Sequence, residues 1–384
     1  MNFDLTEEQK AIRELARKFA DEEIAPSAKE RDEKEIFPQE ILQKMAPLGF
    51  LGGPIPKEYG GAGLDYIAHA ILTEEVGRAC SSVRTTLSVH ISLAQLTILK
   101  WGSEAQKKQW LPRLASGEIL GCFGLTEPDT GSDAANQKTT AKKKGDRWIL
   151  NGAKMWISNA GKAELAIIFA QTDKSKGAKG LAAFLVERST PGYSTRDIHG
   201  KLGMRSSNTG EIILEDCAVP AANLLGEVGQ GFKVAMSGLD HGRYSVAAGS
   251  VGLIQACREA SVAYAKERVQ FGKPIASFQL VQEMIARMRV NEDAARLLVY
   301  QAGHLKNQGR PDTIATCVAK YFSTEAAQQA AMDAIQVHGG YGYSNEYPVE
   351  RYLRDARVAT LYEGTSQIQQ LIIGRHETGI SAFV

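Results

Sequence analysis

Trp148-Ile149-Leu150-Asn151-Gly152-Ala153-Lys154-Met155-Trp156-Ile157-Ser158 decides how this chain folds. Two runs rich in aromatic and branched residues flank Asn151-Gly152, a dipeptide suited to the tightest hairpin turns, so a β-hairpin is predicted here. Residues 165–170, 181–186 and 211–214 are further short apolar or alternating runs, separated by glycine, proline and lysine loops as in a small sandwich or barrel. This β texture begins at Gly121 and ends near 226–231. Upstream the apolar spacing is helical. Ile12, Leu15, Ala16 and Phe19 follow a capping box of Thr6 and Gln9, and Pro26 ends or bends that helix. A second helix around Ile41, Leu42 and Met45 stops near Pro47 and Gly49, and 67–116 is helical with Leu93, Leu96 and Leu99 on one side. Downstream, 232–266, 278–307 and 314–337 read as long alanine-rich helices without proline. The order is α, then β, then α.

Composition narrows the function classes. The 384 residues carry 45 basic and 44 acidic side chains, a formal charge of +1, which gives no bulk attraction for nucleic acid or an anionic membrane. The five cysteines are scattered, odd in number and without C-x-x-C spacing, so neither a zinc site nor dithiol exchange is expected. They read as reduced, buried thiols of a cytoplasmic protein, or of one in the mitochondrial matrix if a transit peptide has been removed. The first residues lack the basic-then-apolar layout of a signal peptide, and no run of about 18 apolar residues suggests a membrane span. The glycine-rich stretch 52–63 lacks the G-x-G-x-x-G order and a feeding strand, which argues against a Rossmann domain.

Three segments carry chemistry. Leu361-Tyr362-Glu363-Gly364-Thr365-Ser366-Gln367 sets one carboxylate beside a flexible glycine, with Leu361 and Tyr362 as an apolar wall, so Glu363 is the candidate general base. Alone, a Glu-Gly pair also reads as a surface turn. Residues 123–133 mix backbone donors, hydroxyls and glycines that suit the edge of a flat heterocycle, and read equally as an interdomain loop. Trp156-Ile157-Ser158 pairs an aromatic plane with a hydroxyl, although a lone tryptophan is more often core.

Taken in order, Leu125-Thr126-Glu127-Pro128, Gly131-Ser132-Asp133, Trp156-Ile157-Ser158, Gly203-Met204-Arg205-Ser206-Ser207, residues 267–275, Gln336-Val337-His338-Gly339-Gly340 and Tyr362-Glu363-Gly364-Thr365 make the chain resemble the acyl-CoA dehydrogenase family from end to end. The resemblance implies an α+β fold: an N-terminal helical domain (1–120), a middle β-sandwich or barrel domain (121–230) and a C-terminal four-helix-bundle domain (231–384). It implies bound FAD, with Phe123, Leu125, Thr126, Gly131, Ser132, Trp156, Ile157 and Ser158 on the flavin ring and Thr365, Ser366 and Gln367 completing that site. Arg268, Phe271, Gln279, Gln336, Val337, Gly339 and Gly340 would reach the pyrophosphate and adenosine half of a neighbouring subunit's FAD. Ser132, Asp240, Arg243 and Gly364 would line the acyl-CoA channel, Arg243 would steady the loop carrying the base, and Arg375 would lie near the CoA nucleotide. His338 reads as structural.

The implied reaction is α,β-dehydrogenation in fatty-acid β-oxidation: Glu363 takes the α-proton of a saturated acyl-CoA and the β-hydride passes to flavin N5, giving a trans-2-enoyl-CoA. Electrons would pass to an electron-transferring flavoprotein, and the enzyme would be a homotetramer, a dimer of dimers. Some relatives carry the carboxylate at the position of Gly242, which leaves Glu363 as the base here. Arg84 falls where glutaryl-CoA dehydrogenases bind a distal carboxylate, but Val83 and Gly77 replace that subfamily's neighbouring tyrosine and glutamate. Arg84 therefore reads first as a solvated charge beside a pocket for short or branched acyl chains, and second as a ligand for a dicarboxylyl tail. A flavin oxidase and a non-enzymatic adaptor are the remaining alternatives; the intact motifs weigh against the adaptor.

Overall fold

The computed structural model describes residues 4–383. The N-terminal part comprises α1 (Glu7–Phe19), α2 (Ala28–Glu33), α3 (Gln39–Met45), α4 (Tyr66–Ala79), α5 (Ser81–Ser88), α6 (Leu96–Trp101) and α7 (Glu104–Ala115). The expected capping box of Thr6 and Gln9 opens α1, and Gly49 ends the turn after α3 in the left-handed region. The chain bends through a 3-10 turn holding Pro26. A π-helical stretch, Val89–Gln95, joins α5 to α6.

The middle part contains β1 (Gly121–Gly124), β2 (Thr140–Lys144), β3 (Arg147–Ser158), β4 (Leu165–Gln171), β5 (Leu181–Glu187), β6 (Tyr193–Asp197), β7 (Thr209–Pro220) and β8 (Leu224–Leu225). They pair into one eight-stranded sheet in the order β6-β7-β3-β2-β4-β5-β8, with β1 parallel to β4. The predicted turn at Asn151-Gly152 is overturned, because β3 runs unbroken through it. Against β7 the register shifts between Leu150 and Gly152, so the pair forms a bulge. The Asn151 side chain donates to Asp216 and accepts from its amide, and a β-carbon on Gly152 would lie 2.7 Å from Cα of Thr139. The tight turn is instead Gly145-Asp146, where Lys144 faces Arg147 and Gly145 takes a φ of +61°.

The C-terminal part holds α8 (Gly231–Glu267), a short ribbon of β9 (Val269–Gln270) and β10 (Lys273–Pro274), α9 (Gln279–Asn307), α10 (Thr313–His338), α11 (Val349–Ala359) and α12 (Ser366–Thr378). The sequence pattern gives no expectation of α11 and α12. The inner face of α11 buries Arg351 and Asp355 beside only small or branched apolar residues, and α12 buries Ser366 and Gln369, so neither carries a long apolar stripe. One core joins Phe19, Ile24 and Leu72 to Leu150, Ile168 and Phe184 on the sheet. A second, on the other side, packs Leu93 and Phe123 with Phe169 and Val234. The bundle core is built from alanines such as Ala247, Ala248, Ala330 and Ala331, which let α8 and α10 approach closely. Among the described residues no helix is long and apolar enough to cross a membrane, and no cluster of metal ligands occurs.

Candidate active site

Glu363 sits in the short turn between α11 and α12, where it and Gly364 take φ values of 55° and 86°. Two successive left-handed residues need support. The Glu363 carbonyl accepts from Arg243 Nε at 3.2 Å and from Gln369 Nε2 at 3.3 Å, and the Gly364 carbonyl accepts from Lys320 Nζ at 2.9 Å. Thr365 is occupied as the cap of α12, its hydroxyl accepting from the Ile368 amide. With its backbone tied, Glu363 lays its carboxylate against α8: a β-carbon on Gly242 would stand 1.8 Å from Oε2. Oε2 is buried and has no hydrogen-bond partner among the described residues. Burial pushes the Glu363 carboxyl up to about 7, against the opposing pull of Arg84, Lys320 and Arg243.

The same face of α8 organises the surroundings. Gly238, Gly242 and Gly249 receive, in turn, the Phe123 ring, the Glu363 carboxylate and the Arg84 side chain, each within 3.0 Å of where a β-carbon would be. Their spacing of four and seven residues puts them on one stripe. Between them Ser245 is bonded to Ser88 of α5 at 2.6 Å. Arg84 is not the solvated charge expected from the sequence. It is 3% exposed, and α5 directs it inward, where Nη2 donates to the Tyr362 hydroxyl at 2.7 Å. Its Nε and Nη1 have no partner among the described residues. Leu361, expected to share the wall with Tyr362, is 48% exposed instead.

The β domain brings together Leu125, Thr126, Trp156, Ile157 and Ser158. Phe123 leads out of β1 into a loop that returns at β2, and the Met155 amide donates to the Thr126 carbonyl at 2.9 Å. Beneath the loop Lys154, fully buried, donates to Glu127 at 2.7 Å and Gln137 at 2.8 Å, while Gln137 donates to the Leu125 carbonyl at 2.9 Å. Burial lowers the Lys154 ammonium to about 8; burial alone would raise Glu127, but Lys154 and the backbone donors hold it below the usual carboxylate range. Trp156 is 61% exposed, Gly131 and Ser132 lie open on the loop, and Ile157 is buried in the core.

A second group gathers where α8 ends. Arg268, Val337, Gly339 and Gly340 line a cleft of about 640 Å³ with Tyr264 and Tyr341, and the Arg268 guanidinium lies over the Tyr341 ring at 5.7 Å. Exposed Phe271 packs edge-on to Phe278, and Gln279 and Gln336 are exposed. His338 stacks on Tyr264 at 4.3 Å and donates from Nδ1 to the Ala334 carbonyl, a structural placement. With a helical rise of ~1.5 Å per residue, Arg268 stands roughly 39 Å along α8 from Gly242, so one chain does not bring the two groups together. Asp240 accepts from Arg243 at 2.9 Å and from Thr313 at 2.8 Å near Glu363, whereas Arg375 is exposed in the last turn of α12. The Ser366 hydroxyl donates to Glu325, and Gln367 lines a smaller cleft of about 270 Å³ with Arg357. Sequence reasoning missed Lys320 and Lys154; the available signal was a lysine on the inward stripe of an alanine-rich helix and another at an inward strand position.

The chain belongs to the acyl-CoA dehydrogenase family of FAD-dependent oxidoreductases: models described as the N-terminal, middle and C-terminal domains of acyl-CoA dehydrogenase match residues 6–118, 122–217 and 229–378. It is 48% identical over 376 residues to the probable acyl-CoA dehydrogenase YngJ of Bacillus subtilis, covering 98% of this chain and 99% of that one. Its structure is similar to butyryl-CoA dehydrogenase from Megasphaera elsdenii, with a TM-score of 0.96 at 42% identity over 98% of this chain and 100% of the other. It is also similar to a glutaryl-CoA dehydrogenase from Mycobacterium smegmatis in complex with FADH2, with a TM-score of 0.94 at 35% identity over 99% and 97% of the two chains.

Proposed function

We propose that this chain, divided into domains 1–120, 121–230 and 231–384, is an FAD-dependent dehydrogenase of short or branched saturated acyl-CoA thioesters, with Glu363 as the base. One observation carries the reading: Glu363 is half-buried with its Oε2 fully buried and free of hydrogen bonds among the described residues, against the same α8 stripe as Phe123 of the flavin-type segment. The residues present fit FAD. Exposed Trp156 offers a ring face, Gly131 leaves open space for a close approach, and the Arg268 cleft offers a cation with glycine backbone for phosphate. Because the two groups lie far apart within one chain, the second would be supplied by another copy, which calls for at least a dimer and is compatible with the homotetramer, a dimer of dimers, that the family resemblance implies.

Bound FAD supplies the hydride acceptor. Glu363 takes the α-proton. Its raised pKa brings it closer to an α-carbon acid than an ordinary carboxylate, and no hydrogen bond to Oε2 among the described residues holds the charge in place of the proton. The Glu363 amide is the chain's donor to the thioester oxygen, and donors of this kind are typically worth roughly 2.7–4 kcal/mol. Arg243 holds the loop through the Glu363 carbonyl, and Asp240, Ser132, Gly364 and Arg375 line the route of the CoA ester. Electrons then leave to an electron-transferring flavoprotein.

A second reading, dehydrogenation of a dicarboxylyl-CoA such as glutaryl-CoA, is favoured by buried Arg84 with its open Nε and Nη1, since a buried guanidinium is costly until paired. Anaerobic bleaching of the visible flavin band by butyryl, isobutyryl, isovaleryl, octanoyl and glutaryl thioesters tests both. Preferential bleaching by a monocarboxylic thioester supports the first reading, preferential bleaching by glutaryl-CoA the second, and no bleaching by any of them defeats the dehydrogenase assignment.

A further inference from the structure

We propose that Lys320 is a positioning residue of the reaction, helping to fix the Glu363-Gly364 turn through the Gly364 carbonyl and standing behind the base as a buried positive charge with no carboxylate at hydrogen-bond distance among the described residues. The proposal rests on reading Glu363 as the base. Lys320 projects from α10 into the interior and is fully buried. Burying an ammonium is costly unless it is paired and fully bonded. Among the described residues its hydrogen bond goes to a carbonyl at 2.9 Å, not to a carboxylate. An apolar side chain would fill this place on an alanine-rich helix without that cost, so packing alone does not account for a lysine.

Two features of the turn account for it. A non-glycine residue held at positive φ is strained and persists only where its surroundings fix it. Arg243 and Gln369 hold the Glu363 carbonyl, and the Gly364 carbonyl accepts from Gln369 at 3.0 Å and, among the described residues, takes its one cationic donor from Lys320 at 2.9 Å. The second feature is charge. Arg84 from α5, Arg243 from α8 and Lys320 from α10 face the carboxylate, with the Tyr362 phenol in the same loop and Cys317 and Glu325 close to Lys320. Arg243 is neutralised by Asp240 at 2.9 Å, and Arg84 turns one nitrogen to Tyr362. Lys320 has no such partner at hydrogen-bond distance. Burial lowers its ammonium to about 8, with Glu363 the first group acting in the opposite sense.

Three substitutions separate holding from charge in the FAD-loaded enzyme. Lys320→Arg keeps both, Lys320→Gln keeps a donor without charge, and Lys320→Met removes both. The readout is the rate of flavin reduction in a single turnover against pH, with the best thioester of the panel. Lys320→Gln and Lys320→Met are expected to move the acid limb up by about one pH unit. Lys320→Met is also expected to lower the limiting rate about tenfold or more, with Lys320→Arg close to wild type. An acid limb unmoved in either folded, flavin-loaded Lys320→Gln or Lys320→Met overturns the proposal, so that outcome stays reachable if one of the two does not fold. Glu363→Gln serves as the control: if it is still reduced at a normal rate, the reading of the base has failed, whereas an inert Glu363→Gln beside unmoved Lys320 variants defeats this inference alone.

Discussion

The carboxylate of Glu363 occupies the volume that a side chain on Gly242 would need, since a β-carbon there would stand 1.8 Å from Oε2 and 2.6 Å from the carboxyl carbon. Gly242→Ala therefore expels the carboxylate from its place. Flavin reduction by substrate is expected to slow about 100-fold, the usual result of a displacement near 1 Å. Helix propensity alone would favour alanine by up to about 1 kcal/mol, so the melting temperature is expected to hold while the single-turnover rate collapses.

Arg84→Met keeps the stem of the side chain and removes its charge. On glutaryl-CoA, kcat/KM is expected to fall by about 2–5 kcal/mol in transition-state terms, because the distal carboxylate would be buried without a partner. On butyryl-CoA the change is expected to stay within a few-fold. Equal losses on both thioesters would mean that Arg84 acts through Tyr362 and not on the acyl tail.

Lys154→Met leaves Glu127 buried without its cation, although the Lys138 and Thr139 amides still donate to it. Breaking a buried pair from one side costs about 3–5 kcal/mol, so chemical denaturation should show a loss of that order. The double variant Lys154→Met, Glu127→Gln should recover a large part of it, since no charge is then stranded. A single variant as stable as wild type would show that the pair does not hold the loop between β1 and β2.

Acid should unfold the protein partly through His69. Both of its ring nitrogens are buried and without a partner among the described residues, and burial lowers its pKa from 6.5 to about 4. Between those values the unfolded chain binds the extra proton and the folded chain does not. Stability is therefore lost as pH falls from 6.5 toward 4, by roughly 3 kcal/mol for a shift of this size. Asp355, raised to about 6 by burial, works in the opposite direction over part of this range. His69→Leu is expected to shrink the fall in melting temperature between pH 7 and pH 5; an unchanged fall would assign acid sensitivity to other groups, such as His90.

The helices of the bundle were legible because their alanine-rich, proline-free runs are long. The turn at Asn151-Gly152 was misread for a local reason. The same dipeptide that makes a tight turn also makes a bulge, and only the neighbouring Thr139 and Asp216 decide between them. Arg84 was misread because burial of a charge depends on a residue distant in sequence, Tyr362, that no periodicity reveals. Lys320 and Lys154 escaped notice for the same reason: each is justified by a carbonyl or carboxylate on another element.

Helix α8, 37 residues without a proline, also works as a datum line. Phe123, Glu363 and Arg84 arrive from a strand, a turn and a separate helix, yet each is located by contact with a glycine on this one rod. Errors in placing the three segments are then measured from a common origin and do not accumulate from one to the next. The intervals between the three are then set by the pitch of a single helix, whatever route each segment takes to reach it.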